Sequence, residues 1–307
     1  MPLAAEAQQT AKVPRIGIVG NAPTALWEAF EQGLKKLGYV PNQSIALEYR
    51  WSEGKPERFP ALVSDLVGRK VDVLVVVGES GARAAKQATA NIPIVMLATA
   101  DPVASGLVAS FARPGGNITG LLSAPTELNG KRLELLKELV PGLSRVAVLG
   151  HATDPAVARL FKETQNAATV LNLTVQVHRV SEPMELESAF AEIGRAGPGG
   201  LFVIPNPFMF INRAKIAELA AKSRVPAVYG FRENVEAGGL MSYASDLREI
   251  WVRGATYVDK ILKGAKPGEL PIEQPTKYEL VINLKTARAL GITIPQLVLL
   301  RADRVIE

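Results

Sequence analysis

The sequence contains no cysteine and only two histidines, His151 and His178, among its 307 residues. The lack of cysteine excludes disulfide bonds, thiolate metal sites and cysteine nucleophiles. The two histidines belong to no H-E-x-x-H motif, and neither a cluster of His and Asp residues nor a glycine-rich P-loop occurs. We therefore expect no metal ion, no cofactor and no catalytic residues.

Long apolar runs and a strong excess of one charge are also lacking. No run approaches the roughly 18 apolar residues of a membrane-spanning helix, so we expect no membrane span. Lys and Arg outnumber Asp and Glu by 35 to 30, which gives a net charge of +5. Basic residues lie beside acidic ones, as in segment 131–138 with Arg132. This pattern predicts a solvated surface and no nucleic-acid partner.

The first residues of the chain are rich in alanine. Ala5-Glu6-Ala7 fits the small-x-small pattern of a secretory cleavage site. We interpret residues 1–7 as the remaining tail of a signal peptide, so that the exported mature chain begins near Gln8. A plain flexible tail is the alternative interpretation.

The sequence repeats itself with an offset of 130 residues. Residues 15–20 (RIGIVG) match residues 145–150 (RVAVLG), and a polar loop and a helical stretch follow each segment. The similarity continues through apolar strands near 71–77 and 201–204. Each half has the order β-α-β-α-β-α-β, which predicts a parallel sheet with helices on both faces. We therefore predict an α/β protein of two similar lobes.

Six loops follow the carboxyl ends of the predicted strands, where open parallel sheets bind ligands. In facing lobes these loops line one cleft: 21–24, 78–80, 98–101, 151–154, 205–208 and 229–233. Several loops open a helix, whose free N–H groups and dipole favour an anion such as a carboxylate. We predict a hinge of three connecting strands, near 121–125, 242–246 and 273–278.

Nine residues in these loops are predicted to contact a ligand: Asn21, Glu79, Ser80, Asp101, His151, Asn206, Phe208, Tyr229 and Glu233. We expect the loop around Ser80 to hold a carboxylate, and Asp101 or Glu233 to meet any amine. Tyr229 and Phe208 would offer apolar faces.

Structural roles stay open for several of these residues. The structural alternatives are that Asp101 forms an Asx-turn, Asn206 caps a helix, Tyr229 packs in the lobe interior and Glu233 pairs with Arg232. Trp27, Trp51 and Trp251 are interpreted as packing residues.

An enzymatic interpretation rests on residues 78–82 (GESGA), which resemble a nucleophile elbow with Ser80 as the nucleophile. The second glycine of that motif is Ala82 here. A hydrolase would also need His151 or His178 as its base, and both lie in the other predicted lobe. We therefore favour binding over catalysis and keep a Ser80 hydrolase as an alternative.

Six segments carry a resemblance to a known family. They are 48–55 (EYRWSEGK), 101–103 (DPV), 106–117 (GLVASFARPGGN), 130–137 (GKRLELLK), 236–243 (EAGGLMSY) and 274–277 (QPTK). Together they resemble the bacterial ABC-transporter substrate-binding proteins that include the tryptophan/tyrosine-type binding proteins. The resemblance implies a type I periplasmic-binding-protein fold, export to the periplasm, and delivery of a small solute to an ABC permease with its ATPase. It also implies ligands of amino-acid or aromatic type.

The cleft loops differ from that family. Relatives often carry Gly-Thr-Pro-Ala after the third strand, where this chain has residues 78–81 (GESG). Because such loops decide which ligand fits, the resemblance does not imply the identity of the solute.

We predict a first lobe of residues 8–122 plus about 244–275, and a second lobe of residues 123–243 plus about 276–307. The lobes would close around a small carboxylate-bearing solute, an amino acid or an aromatic acid, without breaking a bond. We expect a monomer. A binding protein that feeds a sensory receptor is an alternative, because sensing and transport use the same trap.

Overall fold

The computed structural model describes residues 13–123, 128–197 and 199–307. The predicted signal-peptide tail lies outside the described residues, as do the last two residues of the first predicted hinge segment.

The described residues form strands and helices that we number along the chain. The strands are β1 (Arg15–Gly20), β2 (Ala46–Trp51), β3 (Val73–Val77), β4 (Ile94–Thr99), β5 (Ile118–Leu122), β6 (Arg145–His151), β7 (Thr174–Val180), β8 (Gly200–Val203), β9 (Ala227–Tyr229), β10 (Met241–Ala244), β11 (Glu279–Asn283) and β12 (Arg304–Ile306). The α-helices are α1 (Ala25–Lys36), α2 (Phe59–Gly68), α3 (Gly78–Ala88), α4 (Leu128–Leu139), α5 (Pro155–Val170), α6 (Glu185–Ala196), α7 (Pro207–Ile211), α8 (Arg213–Lys222), α9 (Arg232–Glu236), α10 (Leu247–Leu262), α11 (Leu284–Leu290) and α12 (Gln296–Leu299). Short 3-10 helices cover Pro56–Arg58 and Pro267–Glu269.

The first sheet contains five parallel strands in the order β2-β1-β3-β4-β5. Its central strands are apolar on both faces because helices cover both. Val73 and Val75 join a core with α1 and α10, whereas Leu74 and Val76 face a core with α2 and α3.

The second sheet has the order β12-β11-β10-β9-β8-β6-β7. One face packs on α4 and α5, and the other packs on α6 and α8. The strands β6 to β10 are parallel, as the repeat predicts, but β11 runs antiparallel to β10 and is parallel to β12. The direction reverses because the chain leaves β10 for α10 in the first lobe and then returns from that lobe into β11.

Three crossings connect the lobes: after β5, between β10 and α10, and before β11. The crossing segments lie side by side. The amide of Leu122 donates to the carbonyl oxygen of Glu273 at 2.9 Å, and the Ser245 hydroxyl donates to the carbonyl oxygen of Ser123. The two-lobed α/β architecture with a three-strand hinge is thus confirmed. In the described part of the chain, no helix is both long and apolar enough to cross a membrane.

Candidate functional site

A cavity lies between the two lobes, and all six predicted loops contribute residues to its lining. The space inside its lining, including the part that is open to solvent, is about 970 Å³. The loop residues that line it include Asn21, Ala22, Thr24, Gly78, Glu79, Ala98, Ala100, Asp154, Pro205, Asn206, Pro207 and Phe231. Helices that adjoin the hinge add Asn129, Arg132, Leu247 and Trp251.

Four aromatic rings form much of the apolar wall. Trp27 and Trp251 come from the first lobe, and their ring centres lie 5.8 Å apart at an angle of 78°. Phe210 and Phe231 come from the second lobe, 5.5 Å apart at 89°. Trp27 and Trp251 also belong to the first-lobe core, as predicted, but the sequence analysis missed their position at the cavity. This wall can bury an apolar or aromatic ligand body.

Arg132 is a buried cation in the cavity lining, with 1% of its surface exposed. Its Nε donates to the carbonyl oxygen of Tyr243 at 2.9 Å, and its Nη1 donates to Asn129 Oδ1 at 2.9 Å. Its Nη2 has no hydrogen-bond partner, and no carboxylate of a described residue pairs with it. Burial lowers the pKa of Arg132 to about 10, so the guanidinium is still charged at neutral pH.

The sequence analysis placed Arg132 on a solvated surface, and this prediction is wrong. Lys131 and Glu134 do form a partly exposed ion pair. Arg132, however, lies on the buried face of α4 with Leu135, Leu136 and Leu139. The spacing of three, four and seven residues from Arg132 to these leucines was the signal that could have found it.

Asp154 and Asn206 form a second polar region of the cavity. Asp154 begins α5, and its Oδ1 accepts from the amide of Ala156 at 3.0 Å. Burial raises the pKa of Asp154, and the nearby Glu79 charge adds to this, whereas the Asn206 amide acts in the opposite direction. Asn206 Oδ1 caps α7 by accepting from Met209 at 2.8 Å, and its buried Nδ2 lacks a hydrogen-bond partner. The helix-cap alternative for Asn206 is therefore correct.

Glu79 links the two lobes across the cavity. Strand β3 passes directly into α3 because Gly78 adopts a φ of +73°, a conformation that glycine tolerates. Glu79 then accepts from Arg83 in the same helix and from Arg159 of α5, both at 2.9 Å. Its side chain is only 5% exposed. The Arg159 pair joins opposite lobes and holds them close together.

The predicted residues fall into three groups. Asn21, Glu79 and Asn206 line the cavity. Ser80, His151 and Phe208 line a neighbouring outer cleft between the lobes. There the His151 ring stacks on Phe208, with centres 4.5 Å apart, and His151 Nε2 lies 3.3 Å from the carbonyl oxygen of Ser181.

Asp101, Tyr229 and Glu233 do not line the cavity. Asp101 Oδ1 accepts from the amides of Val103 and Ala104, at 3.1 and 2.9 Å, which is the Asx-turn alternative. Tyr229 is fully buried in the core of the second lobe. Glu233 lies at an outer groove, and burial raises its pKa. We leave these three residues out of the candidate site because none of them lines the cavity.

A cavity between two hinged α/β lobes, with buried polar groups from both, is typical of a protein that closes around a solute. The sequence model described as ABC transporter substrate binding protein matches residues 16–306, and the chain belongs to this family. Proteins of this family act outside the cytoplasm, bind small molecules and work with an ABC permease. The role that the family description gives is substrate binding.

Several relatives resemble the whole chain. A tyrosine-binding protein of Clostridioides difficile is 24% identical over 264 residues, which cover 86% of this chain and 75% of that protein. A conserved domain protein of Vibrio cholerae is 27% identical with a TM-score of 0.89, and the match covers 96% of this chain and 100% of that one. An ABC domain from Streptococcus pneumonia in complex with L-Trp is 26% identical, with a TM-score of 0.87 and coverage of 95% and 99%.

Proposed function

We propose that this chain is a periplasmic solute-binding protein that traps a small carboxylate-bearing solute, an amino acid or an aromatic acid, and delivers it to an ABC permease with its ATPase. The observation that carries the proposal is Arg132, a buried cation in the cavity wall without a carboxylate partner among the described residues.

A buried guanidinium is costly unless an anion and hydrogen bonds compensate its charge. A ligand carboxylate that accepts from Arg132 Nη2 would supply both. Two other buried donors in the cavity lining lack partners, Asn206 Nδ2 and Trp251 Nε1. All three unpartnered groups are donors, so they favour a ligand rich in acceptor oxygens.

The apolar wall supports an aromatic or aliphatic ligand body. Trp27, Trp251, Phe210 and Phe231 surround the cavity from both lobes, and such walls bury most of a small ligand. The ligands in the descriptions of the two relatives above, tyrosine and L-Trp, are carboxylates with aromatic side chains.

We further propose a monomer that is exported through a signal peptide ending near residue 7. For the lobes we propose residues 8–122 plus about 244–275, and residues 123–243 plus about 276–307. The separate sheets and the position of α10 against α1 support this division.

The experiment is calorimetric titration of refolded protein with aromatic acids and amino acids, followed by the variant Arg132→Met. Methionine keeps the bulk of the side chain and removes the charge. Truncating one partner of a buried charge pair costs about 2 kcal/mol or more, so we expect roughly thirtyfold weaker binding. The matched control is Lys131→Met, which removes a partly exposed cation from the position of α4 just before Arg132.

Unchanged ligand affinity in Arg132→Met would contradict the proposed role of Arg132. Folding of the variant is checked separately by its melting temperature without ligand. We expect a modest shift, because removal of a buried charge offsets the two hydrogen bonds that are lost.

A further inference from the structure

The polar groups of the cavity lie in two regions along α5. Asp154 begins this helix and lies beside Asn206. At the other region, Asn129 accepts from Arg132 and donates through Nδ2 to Thr164 Oγ1 at 3.3 Å. Thr164 is ten residues beyond Asp154, which is about 15 Å along the helix axis.

An apolar stretch separates these regions. Ala156 and Leu160 lie between Asp154 and Thr164 on α5, and both line the cavity. A carboxylate at Arg132 is therefore held at one end of the cavity. The amino group of an α-amino acid is attached beside its carboxylate, so it lies at the Arg132 end together with the carboxylate.

The Asp154 end offers one acceptor and one donor. The Asp154 carboxylate can accept, and the buried Asn206 Nδ2 is a donor that lies near this carboxylate but completes no hydrogen bond to it. An ammonium group has donors only and would leave Nδ2 unsatisfied. A hydroxyl donates and accepts at once, so it can satisfy both side chains. Glu79 already accepts from two arginines.

Among the described residues, no carboxylate pairs with Arg132 at the other end of the cavity. Arg132 donates hydrogen bonds to Asn129 and to the carbonyl oxygen of Tyr243, and Tyr243 and Tyr278 influence it electrostatically. An α-ammonium group here would lie close to a guanidinium, and none of the described carboxylates pairs with that guanidinium. Burial makes such a like-charge contact costly.

We propose that the ligand is an aromatic carboxylate with a hydroxyl group at the far end of its ring and no α-amino group. Its carboxylate accepts from Arg132, its ring lies among the four aromatic side chains, and its hydroxyl bridges Asp154 and Asn206. The inference rests on the proposed function, because it takes Arg132 as the carboxylate site.

The test is calorimetric titration of refolded protein with three matched probes. They are 3-(4-hydroxyphenyl)propionate, 3-phenylpropionate, which lacks the hydroxyl, and tyrosine, which adds the α-amino group. We expect the first probe to bind most tightly, with loss of the hydroxyl or addition of the amino group each weakening binding about tenfold or more.

The variant Asp154→Asn tests the far end of the cavity. Asparagine keeps the acceptor that caps α5 and replaces the second carboxylate oxygen by a donor. We expect the preference for 3-(4-hydroxyphenyl)propionate over 3-phenylpropionate to fall to about threefold or less. The control is Asp101→Asn, an Asx-turn carboxylate outside the cavity lining, which should leave the preference unchanged.

Two results would overturn this inference while the proposed function stands. One is tighter binding of tyrosine than of 3-(4-hydroxyphenyl)propionate. The other is equal binding of the two desamino acids. Failure of all three probes to bind, with other carboxylates of the amino-acid and aromatic panel also inactive, would overturn the proposed function as well.

Discussion

At the scale of single residues, the cavity between the lobes is formed by the loop side chains that turn toward it, and not by every polar residue of the six loops. Strand order places the six loops at one cleft, because the carboxyl ends of parallel strands meet at one edge. It does not determine which way a side chain points. Tyr229 ends β9 but packs inside the second lobe, and Asp101 turns back on its own loop.

Arg132 shows a limit of reading charge from composition. An arginine among lysines and glutamates is predicted to be exposed to solvent. The residues three and four positions after Arg132, however, are buried leucines. The helical period therefore outweighs the local charge pattern in deciding which face is buried. Whether Arg132 Nη2 finds a hydrogen-bond partner depends on residues that are distant in sequence, such as Tyr243 of β10. No local sequence pattern specifies it.

The pH dependence of stability tests the environment of Asp154. Its pKa is raised in the folded protein, chiefly by burial, so the ionised carboxylate destabilises the folded state at neutral pH. Asp154→Asn removes that penalty and keeps the cap of α5. We expect the ligand-free variant to melt above the wild type at pH 7, as measured by differential scanning calorimetry.

At low pH the stability gain of Asp154→Asn disappears, and it does not change sign. As the pH falls through the folded pKa to below the ordinary value of 3.8, both states become protonated and the penalty disappears. The advantage of the variant should therefore vanish there. A gain that stays constant from pH 7 to pH 3 would contradict a buried, ionised Asp154.

At the scale of elements, α3 and α5 are joined across the cleft by Glu79 and Arg159. This pair exists only when the lobes approach each other, so it stabilises the closed form relative to the open one. In Arg159→Met, Glu79 loses its partner from the second lobe. We expect about tenfold weaker ligand binding, mainly through faster dissociation, as measured by stopped-flow fluorescence of the cavity tryptophans.

Arg83→Met is the matched control for this pair. Arg83 contacts the same carboxylate but belongs to α3 of the same lobe, and its side chain is 41% exposed. Pairs of this kind contribute about 0.3–0.5 kcal/mol, so a change below about threefold is expected. Equal effects of the two substitutions would show that the Glu79 pairs do not act on closure.

At the scale of the whole molecule, the internal repeat predicted most of the architecture. Alternating strands and helices with an offset of 130 residues gave both lobes and the positions of their loops. The direction of β11 was not predictable from the repeat, because it belongs to the segment that returns through the hinge. The same chain crossings between the lobes bring Trp251 of α10 and Arg132 of α4 to the cavity.

Closure of the two lobes around a ligand depends on this arrangement of chain crossings. Residues from the first lobe, the second lobe and the hinge-side helices all line one cavity, so a ligand that contacts them favours closure by its greater affinity for the closed form. We propose that the charge of a ligand carboxylate, paired with Arg132, contributes much of this affinity.

The most direct test compares an acid with its neutral amide. Refolded protein is titrated calorimetrically with 3-(4-hydroxyphenyl)propionate and with 3-(4-hydroxyphenyl)propionamide, which differ only in the carboxyl group. We expect the acid to bind and the amide to bind at least about thirtyfold more weakly, and we expect this difference to be lost in Arg132→Met. Equal affinities of acid and amide for the wild-type protein would contradict it.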